Sequence, residues 1–187
     1  GRGFQQCLSA IATLLEERWE SVHPQPMDGD SSFRGSILQA LDDAPQTVFP
    51  LQCAPLFKTR RCGSVMFRHH LLVEKSIPPR KVIQYSDDDG SSTVEEEKVP
   101  QAADLRGAIG DVELADLVSI RDVAEKIFAA LEAIEKVYDE KSAKIGYLRF
   151  KELKALANPL FLFLDSSVAL RDALAAVREA ARRTLGP

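Results

Sequence analysis

The chain has 187 residues, of which 45% are hydrophobic and 28% are charged, so it is long enough for one globular domain and is neither wholly disordered nor collagen-like. Its 24 lysines and arginines against 28 acidic residues give a net charge of −4, which disfavours sequence-independent binding to nucleic acid. No apolar run approaches the roughly 20 residues that span a bilayer, which excludes an integral membrane protein.

The cysteine content favours a reducing compartment. Cys7, Cys53 and Cys62 are an odd number of thiols in a chain of this size, so a disulfide framework is not expected. The first residues also lack the charged, apolar and small-residue regions of a secretory signal peptide.

The N-terminal third predicts two helices and a short strand. Apolar residues at spacings of three and four predict an amphipathic helix over residues 4–21, which Pro24 and Pro26 follow. Residues 33–42 have the spacing of a shorter helix. Residues 46–49 have the composition of a strand, and Pro50 favours an edge position or a bend for it.

A β-hairpin is predicted next. Residues 64–75 alternate in a way that predicts a strand with Phe67, His69 and Leu71 on one face. Residues 54–60 are expected to pair with this strand through a turn at 61–63. The proline pair at 78–79 closes the hairpin.

Residues 84–111 predict a flexible acidic loop. The segment is rich in aspartate and glutamate and poor in apolar residues, so it buries too little surface to offset the entropy of ordering. An acidic docking site is the alternative interpretation of the same segment. An EF-hand is not expected, because the ligand spacing and flanking helices are missing.

The C-terminal half predicts a long helix over 114–140, a buried strand over 160–164 and a helix over 167–184. Taken together, the elements predict one α+β domain over residues 1–187. Its small, mostly antiparallel sheet would pack against two or three helices.

Two groups of residues are candidates for chemistry. Cys53, Cys62, His69 and His70 could offer four zinc ligands, but the cysteines are too far apart and adjacent strand histidines face opposite sides. A Cys62 nucleophile with His69 or His70 as base lacks an orienting third group. Phosphate-binding glycine loops and nucleophile elbows are absent from the sequence. We therefore expect no enzyme, no catalytic residue, no cofactor and no metal.

Several segments together resemble the tail-terminator, or tail-completion, proteins of long-tailed bacteriophages. The first helix around 7–15, the strand ending at Pro50, the segment 67–75, the helix 117–131 and the turn after Asn158-Pro159 occur in the order of that family. Two departures are the length of the acidic loop and the composition of 175–185. By analogy with the family this last segment is a strand, whereas its alanine, glutamate and arginine content favours a helix.

The resemblance implies a structural virion protein located in the virion and assembled in the host cytoplasm. Such a protein forms a ring, suspected to be a hexamer, that caps the tail tube and joins it to the head connector. It would bind copies of itself, tail-tube proteins and head-connector proteins, with no nucleic-acid sequence recognition and no membrane contact. The candidate interface comprises Arg60, Arg61, Arg68, His70, Asp87, Asp88, Asp89, Glu95, Glu96 and Glu97.

Two alternatives to the virion function stay open. The first is an interaction domain of a larger complex that docks a basic partner through the acidic loop. The second is a cysteine-dependent enzyme built on Cys62.

Overall fold

The structure is a computed structural model that describes residues 1–60, 62–85, 92–142 and 147–185. The helices are α1 (Arg2–Arg18), α2 (Ser32–Gln39), α3 (Phe49–Cys53), α4 (Phe67–Val73), α5 (Ala102–Asp111), α6 (Leu114–Lys141), α7 (Lys151–Ala155) and α8 (Ala157–Leu185). The strands are β1 (Pro55–Thr59), β2 (Gly63–Met66), β3 (Lys81–Tyr85) and β4 (Ser92–Glu96). None of the described helices is long and apolar enough to cross a membrane.

Helix α6 is the central element, and it forms where the sequence predicts a long helix over 114–140. At 1.5 Å per residue it extends for about 40 Å. Leu117 lies at one end of the buried stripe of α6 and Ile134 towards the other, and both are completely buried. Because the helix is longer than either core, it contributes to both of them.

The first core joins α1, the C-terminal half of α6 and α7. Leu8 and Leu15 of α1 pack here with Leu131 of α6 and Phe150. The helix predicted over 4–21 is thereby confirmed, and its predicted stripe is the face that meets α6. The second core joins β1, β2, α4, α5, the N-terminal half of α6 and α8.

The sheet content is small, with two antiparallel pairs among the described residues. Strand β1 pairs with β2, and β3 pairs with β4. Gly63 opens β2 with a φ of 67°, a left-handed conformation that favours glycine. The predicted pairing of 54–60 with the following strand is confirmed, but the fold is mostly helical and the predicted single sheet is not formed.

Three predicted strands are wrong in whole or in part. Residues 46–49 lie in a helical segment because the Asp43 carboxylate accepts from the Gln46 N–H at 2.7 Å, so Asp43 and Pro45 start a helix. The strand predicted over 64–75 ends at Met66 and continues as α4. The apolar run 160–164 lies inside α8, with Leu164 buried and Leu162 59% exposed.

The predicted acidic loop is also only partly a loop. Residues 92–96 form β4, and residues 102–111 form α5, whose Leu105, Ala108 and Ile109 are buried in the second core. Three apolar side chains at helical spacing are enough for a helix to bury one face. A prediction from the overall acidic composition of the segment overlooks them. A single domain over the whole chain stays a prediction.

Gly35 offers a test of how α2 is held against α6. A Cβ at this position would overlap the hydroxyl of Tyr138 and lie 2.8 Å from its Cζ. Tyr138 is buried and donates to the Ser31 carbonyl at 3.1 Å, so it cannot move aside without losing that bond. We expect Gly35→Ala to lower the free energy of unfolding by about 1–3 kcal/mol, measured in urea.

Gly3→Ala is the matched control, because a Cβ at Gly3 meets no atom within 4 Å. It should leave stability unchanged or raise it by up to about 1 kcal/mol, since alanine favours the helix more than glycine does. Equal effects of the two substitutions would contradict the close approach of Gly35 to Tyr138.

Candidate interaction surfaces

A buried arginine fixes the corner between α1 and α2. Arg34 is 3% exposed and lies over the Trp19 ring at 4.2 Å from its centroid. Its guanidinium donates to the carbonyls of Val22 at 2.5 Å and Pro24 at 3.0 Å. These contacts tie the loop after α1 to the inner face of α2 and so set which side of α2 faces solvent.

The outer side of α2 is an exposed apolar surface. Phe33 is 68% exposed and Ile37 is 49% exposed, and their spacing of four places them side by side on the helix. We call these two residues the α2 face. Met27, in the loop before α2, is 79% exposed. An exposed phenylalanine beside an exposed isoleucine is typical of a protein-binding surface.

A second candidate surface is an apolar groove along α6, which we call the α6 groove. It has a volume of about 520 Å³. Its apolar lining comes mainly from β1 and from α6, with further contributions from α3, α7 and α8. Residues that line it include Leu51, Pro55, Leu56, Ile120, Val123, Ile127 and Leu160.

Charged groups lie at the rim of the α6 groove. Asp111, Glu113 and Asp116 line it at the junction of α5 and α6, and all three are exposed. Lys58 of β1 and Arg2 of α1 line it elsewhere, and Arg2 donates to the Ser119 hydroxyl at 3.2 Å. No residue that lines the groove is a cysteine or a histidine. The groove therefore offers an apolar lining with charged side chains at its rim.

Two of the predicted interface residues pair with each other. Arg68 is 5% exposed and makes a bidentate contact with Glu97, at 2.7 and 2.5 Å. Glu97 also accepts from the Arg80 N–H at 3.1 Å, and the Arg80 guanidinium lies 4.1 Å from the Phe49 ring centroid. This cluster holds the β3–β4 hairpin to α3 and α4. Hydrogen bonding to Arg68 lowers the pKa of Glu97 below its ordinary value.

The other predicted interface residues are dispersed. Arg60 is exposed at the β1–β2 turn, and Glu95 and Glu96 are exposed on β4. His70 packs between ring systems, with its centroid 4.5 Å from that of Phe163. Arg61, Asp87, Asp88 and Asp89 lie outside the described residues. An interface role for this set, and acidic docking by the segment, stay predictions.

Cys62 and His69 form hydrogen bonds within the fold. The Cys62 thiol donates to the Asp104 carbonyl at 3.4 Å, and His69 Nδ1 accepts from the Met66 N–H at 3.4 Å. Burial lowers the pKa of both His69 and His70 and raises that of the Cys53 thiol. In the described part of the chain, no cluster of three or more metal-ligating side chains is present.

The spacing of Phe33, Ile37 and Leu38 predicts the helix but not which of its faces is exposed, so the α2 face is not predicted from the sequence. In the structure Arg34 and Leu38 face the core, whereas Phe33 and Ile37 face solvent. The missed signal was an arginine at position 34, four residues before Leu38. A cation there can be buried because Trp19 and two loop carbonyls receive it.

Two comparisons with known proteins give matches. The sequence model of the family described as ImpA, N-terminal, type VI secretion system matches residues 1–43, which contain α1, α2 and the Arg34 contacts. A solved structure of the N-terminal domain of the TssA component of the type VI secretion system from Burkholderia cenocepacia, which includes the conserved ImpA_N region, has the same fold. Its TM-score is 0.67 at 16% sequence identity, over 91% of this chain.

The chain spans 65% of the length of that structure. No curated protein matches the sequence. The matches nevertheless overturn the expected phage tail terminator, with its neck role, its head-connector partner and its virion location. The resemblance failed for a physical reason. Of the segments on which it rested, 46–49 is helical and 67–73 is a helix rather than a strand.

The Glu97 ion pair predicts a defined response to acid. The pKa of Glu97 is lowered in the folded state, so its carboxylate stabilises the fold above the ordinary value of 4.5. That contribution is lost as the pH falls through the lowered folded-state pKa. We expect Glu97→Gln to lower stability by about 1–3 kcal/mol at neutral pH and to flatten the decline of stability in acid.

The measurement is urea unfolding of the wild type and variants at a series of pH values below neutral. Glu96→Gln is the control, since Glu96 precedes Glu97 in the chain and is exposed at the end of β4. Its pH profile should run parallel to that of the wild type. A Glu97→Gln profile that also runs parallel to the wild type would contradict the assigned ion pair.

Proposed function

We propose that this chain is an assembly module of a type VI secretion system in a bacterial cell, equivalent to the N-terminal domain of a TssA component. The observation that carries the proposal is that the family match and the structural match both lead to a component of the type VI secretion system. The fold of a TssA N-terminal domain extends over 91% of the chain, and the ImpA N-terminal family matches the segment that builds α1 and α2.

The surfaces of the molecule support a binding role for this module. The α2 face lies inside the family-matched segment and exposes a phenylalanine and an isoleucine to water. The Arg34 contacts hold α2 in place, so little ordering entropy is lost when a partner covers it. The module acts by surface complementarity, and we expect it to have no catalytic activity.

The partners of the module are other components of the secretion apparatus and further copies of the same protein. Burial of Phe33 and Ile37 would supply the apolar centre of one such contact, with charged side chains around it. This arrangement needs no cofactor, metal or nucleotide.

Deletion of the gene for the whole protein in its bacterium tests the proposal. Type VI secretion should be lost, and the wild-type gene should restore it. Unchanged secretion after the deletion would overturn the assignment to this apparatus.

Substitution of the α2 face tests the surface. We expect the double change Phe33→Ser and Ile37→Ser to reduce type VI secretion in the complemented strain at least tenfold, while the thermal unfolding midpoint of the purified protein changes little. Leu162→Ser is the control, because the exposure of Leu162 lies between those of Phe33 and Ile37 but the residue is on α8. Full secretion by the double variant would exclude the α2 face as the docking surface.

A further inference from the structure

Helix α8 extends past the body of the molecule. Its last partly buried residue is Leu174, and every residue from 175 to 184 is exposed. These ten residues, which we call the C-terminal arm, form about 15 Å of helix. Most helical stability in proteins comes from packing of an apolar face, so a projecting segment of this length calls for a partner.

The C-terminal arm has an apolar stripe and a basic character. Val177, which is 66% exposed, and Ala181 continue the line of Leu170 and Leu174 at spacings of three and four. The arm carries three arginines against one glutamate, Glu179, which pairs with Arg183 at 3.0 Å. Within the described residues, Arg178 and Arg182 have no ion-pair partner.

The α6 groove is complementary to the arm in both properties. Its lining is apolar along α6 and β1, as a helix stripe of valine and alanine requires. Its rim at the α5–α6 junction carries Asp111, Glu113 and Asp116, and no ion pair in the described part of the chain involves any of these three. Opposite charges around an apolar centre favour association and fix its orientation.

The arm leaves the molecule beside this acidic rim. The Arg171 guanidinium donates to the carbonyl of Val112, which lies between Asp111 and Glu113. Three residues further along α8, Leu174 packs against Gly110, where an added Cβ would lie 3.3 Å from its Cδ1. Because α8 is continuous through residue 185, the arm cannot turn back into its own groove without breaking the helix. An arm that lies in the α6 groove must therefore come from another molecule.

We propose that two copies of this chain exchange their C-terminal arms, each arm lying in the α6 groove of the other copy. The stripe of Val177 and Ala181 packs on the apolar lining, and Arg178 and Arg182 face the acidic rim. An arm and a groove at the same end of the molecule give a self-complementary contact, which closes as a two-fold dimer. The inference deepens the proposed function, because it names the surface through which copies of the module associate.

Light scattering after size-exclusion chromatography tests the exchange, with the full chain at several concentrations. The wild type should have twice the 20.7 kDa mass of one chain. An arm variant with Arg178→Glu and Arg182→Glu brings an acidic arm opposite the acidic rim of the other copy. The like charges repel, so this variant should be monomeric. A rim variant with Asp111→Lys and Glu113→Lys brings a basic rim opposite the basic arm and should be monomeric for the same reason.

An equimolar mixture of the two variants is the decisive sample. In a mixed pair, both contacts again join opposite charges, so the dimer should return. All four substituted residues are exposed, so the circular dichroism spectra of both variants should match that of the wild type and show that they fold. Val177→Ser changes the apolar stripe without a change of charge, and it should raise the dissociation constant of the dimer at least tenfold.

A wild type that is monomeric at every concentration would overturn the exchange. Variants that stay dimeric, or a mixture that stays monomeric, would also overturn it. Failure of the arm exchange can be distinguished from failure of the proposed function. A monomer that supports type VI secretion contradicts the exchange alone, whereas a dimer whose gene is dispensable for secretion contradicts the assignment to the apparatus.

Discussion

The packing of α6 against its neighbours is the interaction on which the rest of the structure depends. Leu117, Leu131 and Ile134 are completely buried, and they belong to two different hydrophobic cores. A truncation of any one of them costs about 2–5 kcal/mol in a well-packed core. Since α1 and α8 both pack on α6, the same helix positions the α2 corner at one end and the exit of the arm at the other.

Long amphipathic segments could be predicted from the sequence, because their apolar stripes are set by residues that repeat over many turns. Helix α6 has the predicted bounds to within one residue, and α1 begins two residues and ends three residues before its predicted bounds; both have the buried faces that the spacing indicates. Short apolar runs could not be assigned in the same way. A run such as 160–164 fits a buried strand or a turn of buried helix equally well, and the decision depends on tertiary contacts. Here Pro159 lies in the first turn of α8, a position that favours a helix.

The candidate surfaces were harder to predict than the fold, because exposure is decided by which of two helix faces meets the core. A pattern of Phe33, Ile37, Leu38 and Leu41 indicates a helix but does not orient it. The buried guanidinium of Arg34 does so, and its acceptors are backbone carbonyls that carry no sequence signal. Two of the charged residues that the sequence suggested for an interface, Arg68 and Glu97, instead form an ion pair with each other within the molecule.

The attachment of the β3–β4 hairpin has a consequence for the dynamics of the molecule. Its two strands pair with each other, while Glu97 and Arg80, at its base, link it to α4 and Phe49. Among the hairpin residues whose side chains the structure describes, none belongs to either core. Opening of that link therefore lets the hairpin detach as a separate cooperative unit at a fraction of the global free energy. Backbone amides of β3 and β4 should then exchange with deuterium far sooner than those of α6, and the detached hairpin can adopt a new orientation relative to α6.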